Sequence, residues 1–228
     1  MIPIFVGYDP KETVVYHVCT NSIIRNSTTP VSFIPLSINL LEYKELHGDG
    51  SNQFVYSRFL IPYLMNYSGW AIYIDGDMVV REDIKNLWNL RDESKAVMVV
   101  KHNYQSKATT KYLGSKNENY PRKNWSSVIL WNCSHPANMA LSPNTVRTST
   151  GSQLHQFSWL TDDKIGELSV EWNWLSDEYG ENENAKLIHY TLGAPCFNEY
   201  RNTVMSAVWH NEHFLTNYCQ QINTKTGE

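Results

Sequence analysis

Trp70-Ala71-Ile72-Tyr73-Ile74-Asp75-Gly76-Asp77-Met78-Val79-Val80 decides how this 228-residue chain is read. Trp70–Ile74 is a continuous apolar run of strand length, reset by Gly69 before it. Such a run reads as a strand buried on both faces. It ends in two carboxylates flanking a glycine. In open α/β sheets, ligands bind just beyond the carboxyl ends of the strands. Paired carboxylates are hard oxygen donors that suit Mg²⁺ or Mn²⁺. Gly76 would let the backbone turn so that both side chains face one ion. That ion would neutralise a diphosphate and stabilise charge on a departing phosphate. A solvated acidic turn is the competing reading, because D-x-D also arises by chance.

The flanking sequence supplies a sheet for this strand. Ile2–Val6 is a short apolar run rich in β-branched residues, and it ends in the turn cluster Gly7-Tyr8-Asp9-Pro10. Helix-like spacing follows from Glu12 to about Arg25, through Val14, Val15, Val18, Cys19 and Ile23, and a second strand covers Val31–Leu36. Strand–helix–strand is the unit of a parallel sheet with crossover helices. Ser51 is a candidate N-cap for a helix through Phe54, Val55, Phe59 and Leu60, interrupted by Pro62. Ile84–Leu90 reads as a short helix, and Ala96–Val100 and Ser127–Trp131 read as strands. The stretch from about His102 to Asn124 is polar, aperiodic and carries Lys107, Lys111, Lys116, Arg122 and Lys123. Loops of that length are either lids and binding loops or disordered. From about Gly151 the pattern breaks into short segments dense in Trp, Asn and acidic residues. Leu187–Tyr190 is the last clear strand, Val204–Tyr218 a terminal helix, and Gln220–Glu228 a polar tail.

Composition narrows the class. Hydrophobic residues at 42% and charged residues at 18% exclude global disorder. A net charge of −4 argues against a nucleic-acid binder, which would show a basic excess. Eight Trp and fourteen Tyr could wall a sugar or base site, but they also fill cores, and the core use is favoured here. Cys19, Cys133, Cys196 and Cys219 lie far apart with no C-x-x-C pair, which argues against a zinc ribbon and points to a reducing compartment. No stretch approaches ~18 apolar residues, so no transmembrane segment is expected. The start Met1-Ile2-Pro3-Ile4 lacks a basic leader, so the expected location is cytoplasmic.

Other candidates cluster at strand ends. His189 closes the Leu187–Tyr190 run and precedes Thr191-Leu192-Gly193-Ala194-Pro195. It reads either as a ligand completing a carboxylate–histidine site or as a plain hydrogen-bonded histidine. Gly7, Tyr8 and Asp9 could admit, stack on and hydrogen-bond a base, or form a simple tight turn. Arg58 could pair with a phosphate or with Asp75, or form an exposed helix salt bridge. No Ser/His/Asp or Cys/His arrangement presents itself.

Tyr56-Ser57-Arg58-Phe59-Leu60-Ile61-Pro62 followed by Ala71–Val80 resembles the Y-x-R-L-x-I-P helix and D-x-D strand of glycosyltransferase family 8. Ile4–Asp9, Ser126–Asn132, Gln156, Trp172-Asn173 and His189–Pro195 extend the resemblance over about residues 1–200. It implies an α/β fold: a single GT-A (Rossmann-like) domain with a mixed central sheet flanked by helices. That domain would cover 1–219, with a nucleotide-binding half over about 1–101, an acceptor-side half over about 102–219, and a polar tail at 220–228. It implies that Asp75, Asp77 and His189 bind Mn²⁺ (or Mg²⁺). Gly7, Tyr8 and Asp9 would line a uridine pocket, Arg58 would contact the donor or hold Asp75, and Gly193 would approach the diphosphate. Asp77 and Gln156 would stand at the reacting centre. Two departures are visible. Gly193-Ala194-Pro195-Cys196 lacks the lysine that reaches the diphosphate in the family, which leaves Arg201 or a loop lysine to substitute. The D-Q motif reads His155-Gln156, which leaves the sugar identity open.

The expected activity is transfer of a hexose, glucose or galactose, from a UDP-sugar to a hydroxyl acceptor on a saccharide, lipid-linked glycan or protein. Retention at the anomeric carbon is implied by the resemblance. The alternatives are a sugar-phosphate nucleotidyltransferase, which normally needs a Gly-rich basic loop that Gly7-Tyr8-Asp9-Pro10 matches poorly, and a non-catalytic UDP-sugar-binding protein.

Overall fold

Strand β1 (Ile2–Gly7), helix α1 (Thr13–Asn26) and strand β2 (Val31–Leu36) open the chain as a parallel crossover unit, with β1 and β2 paired from Ile2↔Val31 to Gly7↔Leu36. The computed structural model describes residues 1–41, 43–44, 46–47, 54–111 and 114–217. Val15, Val18, Cys19 and Ile23 lie on the buried face of α1, at the spacing of an amphipathic helix.

The chain continues through α2 (Ile61–Leu64), β3 (Trp70–Ile74), β4 (Met78–Val80), α3 (Ile84–Trp88) and β5 (Val97–Val100). Next come β6 (Thr110–Lys111), β7 (Ser115–Lys116), β8 (Val128–Asn132), α4 (Pro143–Thr148) and α5 (Gly151–His155). The last elements are β9 (Ile165–Leu168), β10 (Trp174–Leu175), α6 (Ser176–Tyr179), β11 (Leu187–His189) and α7 (Ser206–Thr216).

The main sheet has the order β2-β1-β3-β8-β5-β9, and β8 runs against both neighbours while the other pairings are parallel. A smaller sheet, β10-β11-β4, stands beside it. Side chains of β3 alternate between two cores: Ala71 and Tyr73 join one, Trp70, Ile72 and Ile74 the other. Both faces are therefore covered, which is why the strand reads as unbroken apolar sequence. Each isoleucine so buried contributes roughly 1.5–3 kcal/mol. The aromatic excess is largely core. Trp131, Trp172 and Trp209 are fully buried, and the Phe59 ring meets Trp131, Phe157 and Trp159 edge to face.

Several expectations are corrected. Ser57–Leu60 is a 3₁₀ turn, and Pro62 sits in the first turn of α2, so the proline starts that helix instead of interrupting one. The Ser51 cap, Cys219 and the 220–228 tail lie outside the described residues. The 102–124 stretch is not aperiodic throughout, because Thr110↔Lys116 and Lys111↔Ser115 pair as a short hairpin. Strands β4 and β9 are additions to the expected set. Among the described residues, no helix is long and apolar enough to cross a membrane.

Candidate active site

Backbone pairing makes the centre of the site. Strand β11 runs antiparallel to β4 with His189 opposite Met78, and the Tyr190 N–H donates to the Asp77 carbonyl at 3.2 Å. That register brings His189 to the end of the Asp75-Gly76-Asp77 turn from 112 residues away in sequence. Asp75, Asp77 and His189 each offer a ligand atom, and those atoms lie within 4.8 Å of one another. Gly76 is needed for a reason other than the expected turn. A Cβ there would meet the Gly7 carbonyl oxygen at 2.6 Å, so the ends of β1 and β3 approach too closely for a side chain.

The hydrogen-bond pattern leaves room for a cation between these groups. Asn173 donates its amide N–H to the Asn124 carbonyl at 3.1 Å, which leaves its Oδ1 toward His189 Nδ1 at 3.0 Å. With Nδ1–H donating to Asn173, an imidazole that carries no second proton turns its Nε2 lone pair toward Asp77. Nε2 stands 3.4 Å from Asp77 Oδ1, a buried oxygen without a hydrogen-bond partner. Two lone pairs facing each other in a buried space are unfavourable, and either a proton on Nε2 or a divalent cation between the two atoms resolves the conflict. The residues present thus fit a metal of the Mg²⁺/Mn²⁺ class with mixed oxygen and imidazole donors.

Asp75 is fixed by a second layer. The Arg58 guanidinium meets it in a fork, Nη2 to Oδ1 at 2.9 Å and Nη1 to Oδ2 at 3.2 Å. Nη1 also donates to the Ser126 carbonyl at 2.9 Å. The Tyr73 hydroxyl, two residues back on the same strand face, donates to Asp75 Oδ1. Burial pushes the Tyr73 hydroxyl well above its usual value, with Asp75 adding and Arg58 opposing, so it stays protonated as a donor. Arg58 thus holds Asp75 from a buried position, not from an exposed helix face.

A cavity of about 670 Å³ opens beside this centre, lined by Tyr56, Tyr104, Lys111, His155, Gln156 and Thr191 among others. The metal-type triad does not itself line it. The link runs through Ser126, whose carbonyl binds Arg58 and whose hydroxyl lies 2.7 Å from His155 Nδ1. Gln156 faces the cavity and donates its amide to the Ser152 hydroxyl at 2.7 Å. Gly7, Tyr8, Asp9 and Gly193 are not in the cavity lining. Tyr8 packs edge to face on Tyr16, Asp9 caps the turn at Pro10–Glu12, and a Cβ on Gly7 would strike the Phe54 ring at 2.5 Å. Sequence reasoning on residue type alone gave no signal for Asn173 as the orienter of His189. Tyr73 could have been found from its position two residues before Asp75.

Two histidines near the site make the fold acid-sensitive. His102 and His155 are each pushed down to about 3: burial is the main cause for both, with His189 adding for His102, and Arg58 and Lys111 adding for His155. Their folded values lie below the unfolded value near 6.5, so the unfolded chain binds more protons between those limits. Stability is therefore full above about pH 6.5 and falls as pH drops toward 3, by up to about 1.4 kcal/mol per pH unit for each histidine. Urea unfolding at pH 7, 6 and 5 measures this, and a flat profile would refute it. His155→Gln should make the slope shallower.

The architecture and site together define a glycosyltransferase of the GT-A fold. The galactosyltransferase LgtC, solved with donor and acceptor sugar analogs, superposes with a TM-score of 0.65 at 13% identity, covering 96% of this chain and 98% of that one. The bifunctional glycosyltransferase WbbM superposes at 0.64 with 15% identity over 93% of this chain, which spans only 49% of WbbM. The chain belongs to glycosyltransferase family 8, whose family model, "Glycosyl transferase family 8", matches residues 11–194. The Arabidopsis thaliana "Protein CDI" is 42% identical over 219 residues, 92% of this chain and 85% of that protein.

Proposed function

We propose that the chain transfers a hexose, glucose or galactose, from a UDP-sugar to a hydroxyl acceptor, with divalent-metal dependence and retention at the anomeric carbon. The observation that carries this is the meeting of Asp75, Asp77 and His189 with an unpartnered Asp77 Oδ1. That LgtC was captured with donor and acceptor sugar analogs supports the choice of donor chemistry. These three residues would hold Mn²⁺ or Mg²⁺, which supplies Lewis-acid charge to a diphosphate leaving group.

The chain's own residues would do the rest. Arg58 and Tyr73 hold Asp75 in one orientation, and Asn173 fixes the His189 ring. Gly7, Tyr8 and Asp9 would take the uridine, and Gly193 would come close to the diphosphate. In the transfer, the bond from the sugar C1 to the β-phosphate oxygen breaks and its electron pair stays on phosphate. The acceptor oxygen bonds to C1, and its proton passes to the released phosphate. The Gln156 amide, uncharged, would stabilise positive character at C1 without bonding to it.

Calorimetry with UDP, with and without Mn²⁺, tests the reading, together with UDP release from UDP-glucose and UDP-galactose. Metal-dependent UDP binding and UDP release are expected. Binding indifferent to Mn²⁺ would sink the metal site. Pyrophosphate release from UTP and a sugar phosphate would place the chain among nucleotidyltransferases.

A further inference from the structure

The part of the cavity wall that comes from residues 104–124 has no core of its own. Among the described residues, no hydrophobic side chain between Val100 and Val128 is buried. Such a segment belongs to the low-stability end of a fold unless polar bonds hold it. It nevertheless lines the same cavity as His155, Gln156 and Thr191.

Helix α6 supplies the tie. It is a single turn, yet its four successive side chains reach four different segments. Ser176 donates its hydroxyl to the His189 carbonyl at 3.3 Å, and Asp177 accepts from the Thr203 hydroxyl. The Tyr179 hydroxyl lies 2.9 Å from His102 Nδ1, just past β5. Glu178 reaches the hairpin segment. Its carboxylate accepts from the Ser106 hydroxyl and, at 3.3 Å, from the Lys107 backbone N–H, while the Lys107 ammonium donates to the Glu178 carbonyl at 3.2 Å. Asn117, just after the hairpin, donates to the Ser106 hydroxyl at 2.7 Å and accepts from the Lys123 ammonium at 2.6 Å. One carboxylate therefore ties both ends of the hairpin to the turn that also holds the His189 carbonyl.

We infer that Glu178 is a positioning residue for the transfer: it holds the hairpin wall in place and so screens the donor sugar from water, an assignment that rests on the UDP-sugar reading above. Excluding water from a closed site suppresses hydrolysis of a reactive donor. With the wall displaced, water would take the acceptor's place. Its oxygen bonds to C1, the bond from C1 to the β-phosphate oxygen breaks with its electron pair kept on UDP, and a water proton passes to the phosphate. The products are UDP and free hexose.

The test compares wild type, Glu178→Ala, Glu178→Gln, Ser106→Ala and, as a control, Glu181→Ala at an exposed carboxylate. Trypsin digestion of the native proteins, read by mass, follows cleavage after Lys107, Lys111 and Lys116. Free hexose release from UDP-glucose and UDP-galactose in Mn²⁺, without acceptor, follows hydrolysis, and calorimetry with UDP follows nucleotide binding. Glu178→Ala is expected to speed cleavage in this segment by about ten- to a hundredfold, because such cleavage tracks the population of the open form. It should also raise hexose release severalfold and leave UDP binding unchanged. Glu178→Gln keeps one acceptor oxygen and should fall in between. Ser106→Ala removes the tie from the hairpin side and should reproduce both effects, which keeps the test decisive if Glu178→Ala does not fold. Glu181→Ala should match wild type. Unchanged cleavage in Glu178→Ala and Ser106→Ala, or faster cleavage without a rise in hexose release, would overturn the assignment and leave the glycosyltransferase reading standing. Loss of UDP binding together with hexose release would show a merely structural role and also overturn it. A wild type that neither binds UDP nor acts on either donor takes both down.

Discussion

Replacing Arg58 with leucine should cost about 3–5 kcal/mol of stability, measured by urea unfolding at pH 7 in the presence of a chelator. Arg58 is 5% exposed and Asp75 7% exposed, so the pair is screened from water. Leucine fills part of the space but leaves the Asp75 carboxylate with the Tyr73 hydroxyl as its remaining side-chain donor, and leaves the Ser126 carbonyl without the guanidinium. The cation also lies 4.9 Å from the Tyr73 ring centroid and 5.7 Å from that of Phe54, contacts that leucine does not replace in kind. The cost comes mostly from the stranded charge, not from the lost attraction. Arg58→Leu combined with Asp75→Asn should therefore be less destabilised than the sum of the two single variants. Arg58→Lys should fall in between, because a point charge cannot fork across both oxygens. A loss below about 1 kcal/mol, or strict additivity, would mean that the pair is solvated and worth no more than a surface bridge.

That charge pair also shows which parts of the molecule were legible in the sequence. Strand β3 announced itself because both of its faces are buried, and its end marked the site because ligands gather at strand ends. The motif Tyr56–Pro62 with Ala71–Val80 carried the family. Geometry of long sequence reach was not legible. Arg58 looked as if it could lie on an exposed helix, and only the fold shows it under the sheet end. Strand β9 was hidden by its own composition. Its Gly166 reads as a breaker and its Glu167 is exposed, yet a Cβ at Gly166 would collide with Met98 Sδ at 2.1 Å. Glycine leaves room there for the Met98 side chain of β5, the residue it pairs with, a demand set by the partner strand. The hairpin in 102–124 was masked because its anchor, Glu178, lies far along the chain. Likewise His189 could be marked as a ligand candidate, but the β4–β11 register that delivers it to Asp77 has no sequence signature.

Asp77→Asn should separate binding from folding, because its two effects have opposite signs. In the metal-free protein, Asp77 Oδ1 faces His189 Nε2 at 3.4 Å and has no hydrogen-bond partner. An asparagine of the same shape can turn its N–H toward that Nε2 lone pair. Above the titration of the imidazole, that adds a hydrogen bond worth about 0.5–1.5 kcal/mol where two lone pairs faced each other. Chelator-treated Asp77→Asn is therefore expected to be as stable as wild type, or slightly more so. Metal binding should go the other way. Loss of a charged oxygen donor removes a direct ligand, and its effect should exceed the roughly 10–100-fold cost of losing an outer-shell partner. Metal-dependent UDP binding and UDP release from the donor should fall at least about a hundredfold. Thermodynamic linkage supplies a readout independent of turnover. At a hundred times its dissociation constant, Mn²⁺ adds about 2.7 kcal/mol to the unfolding free energy of a protein that binds it only when folded. Wild type should show that gain, and Asp77→Asn at the same Mn²⁺ concentration should show almost none. A variant that unfolds more easily in chelator would mean that Asp77 is structural. One that keeps the Mn²⁺ gain would mean that the cation sits elsewhere. In either case the lone-pair conflict at His189 would need a different resolution.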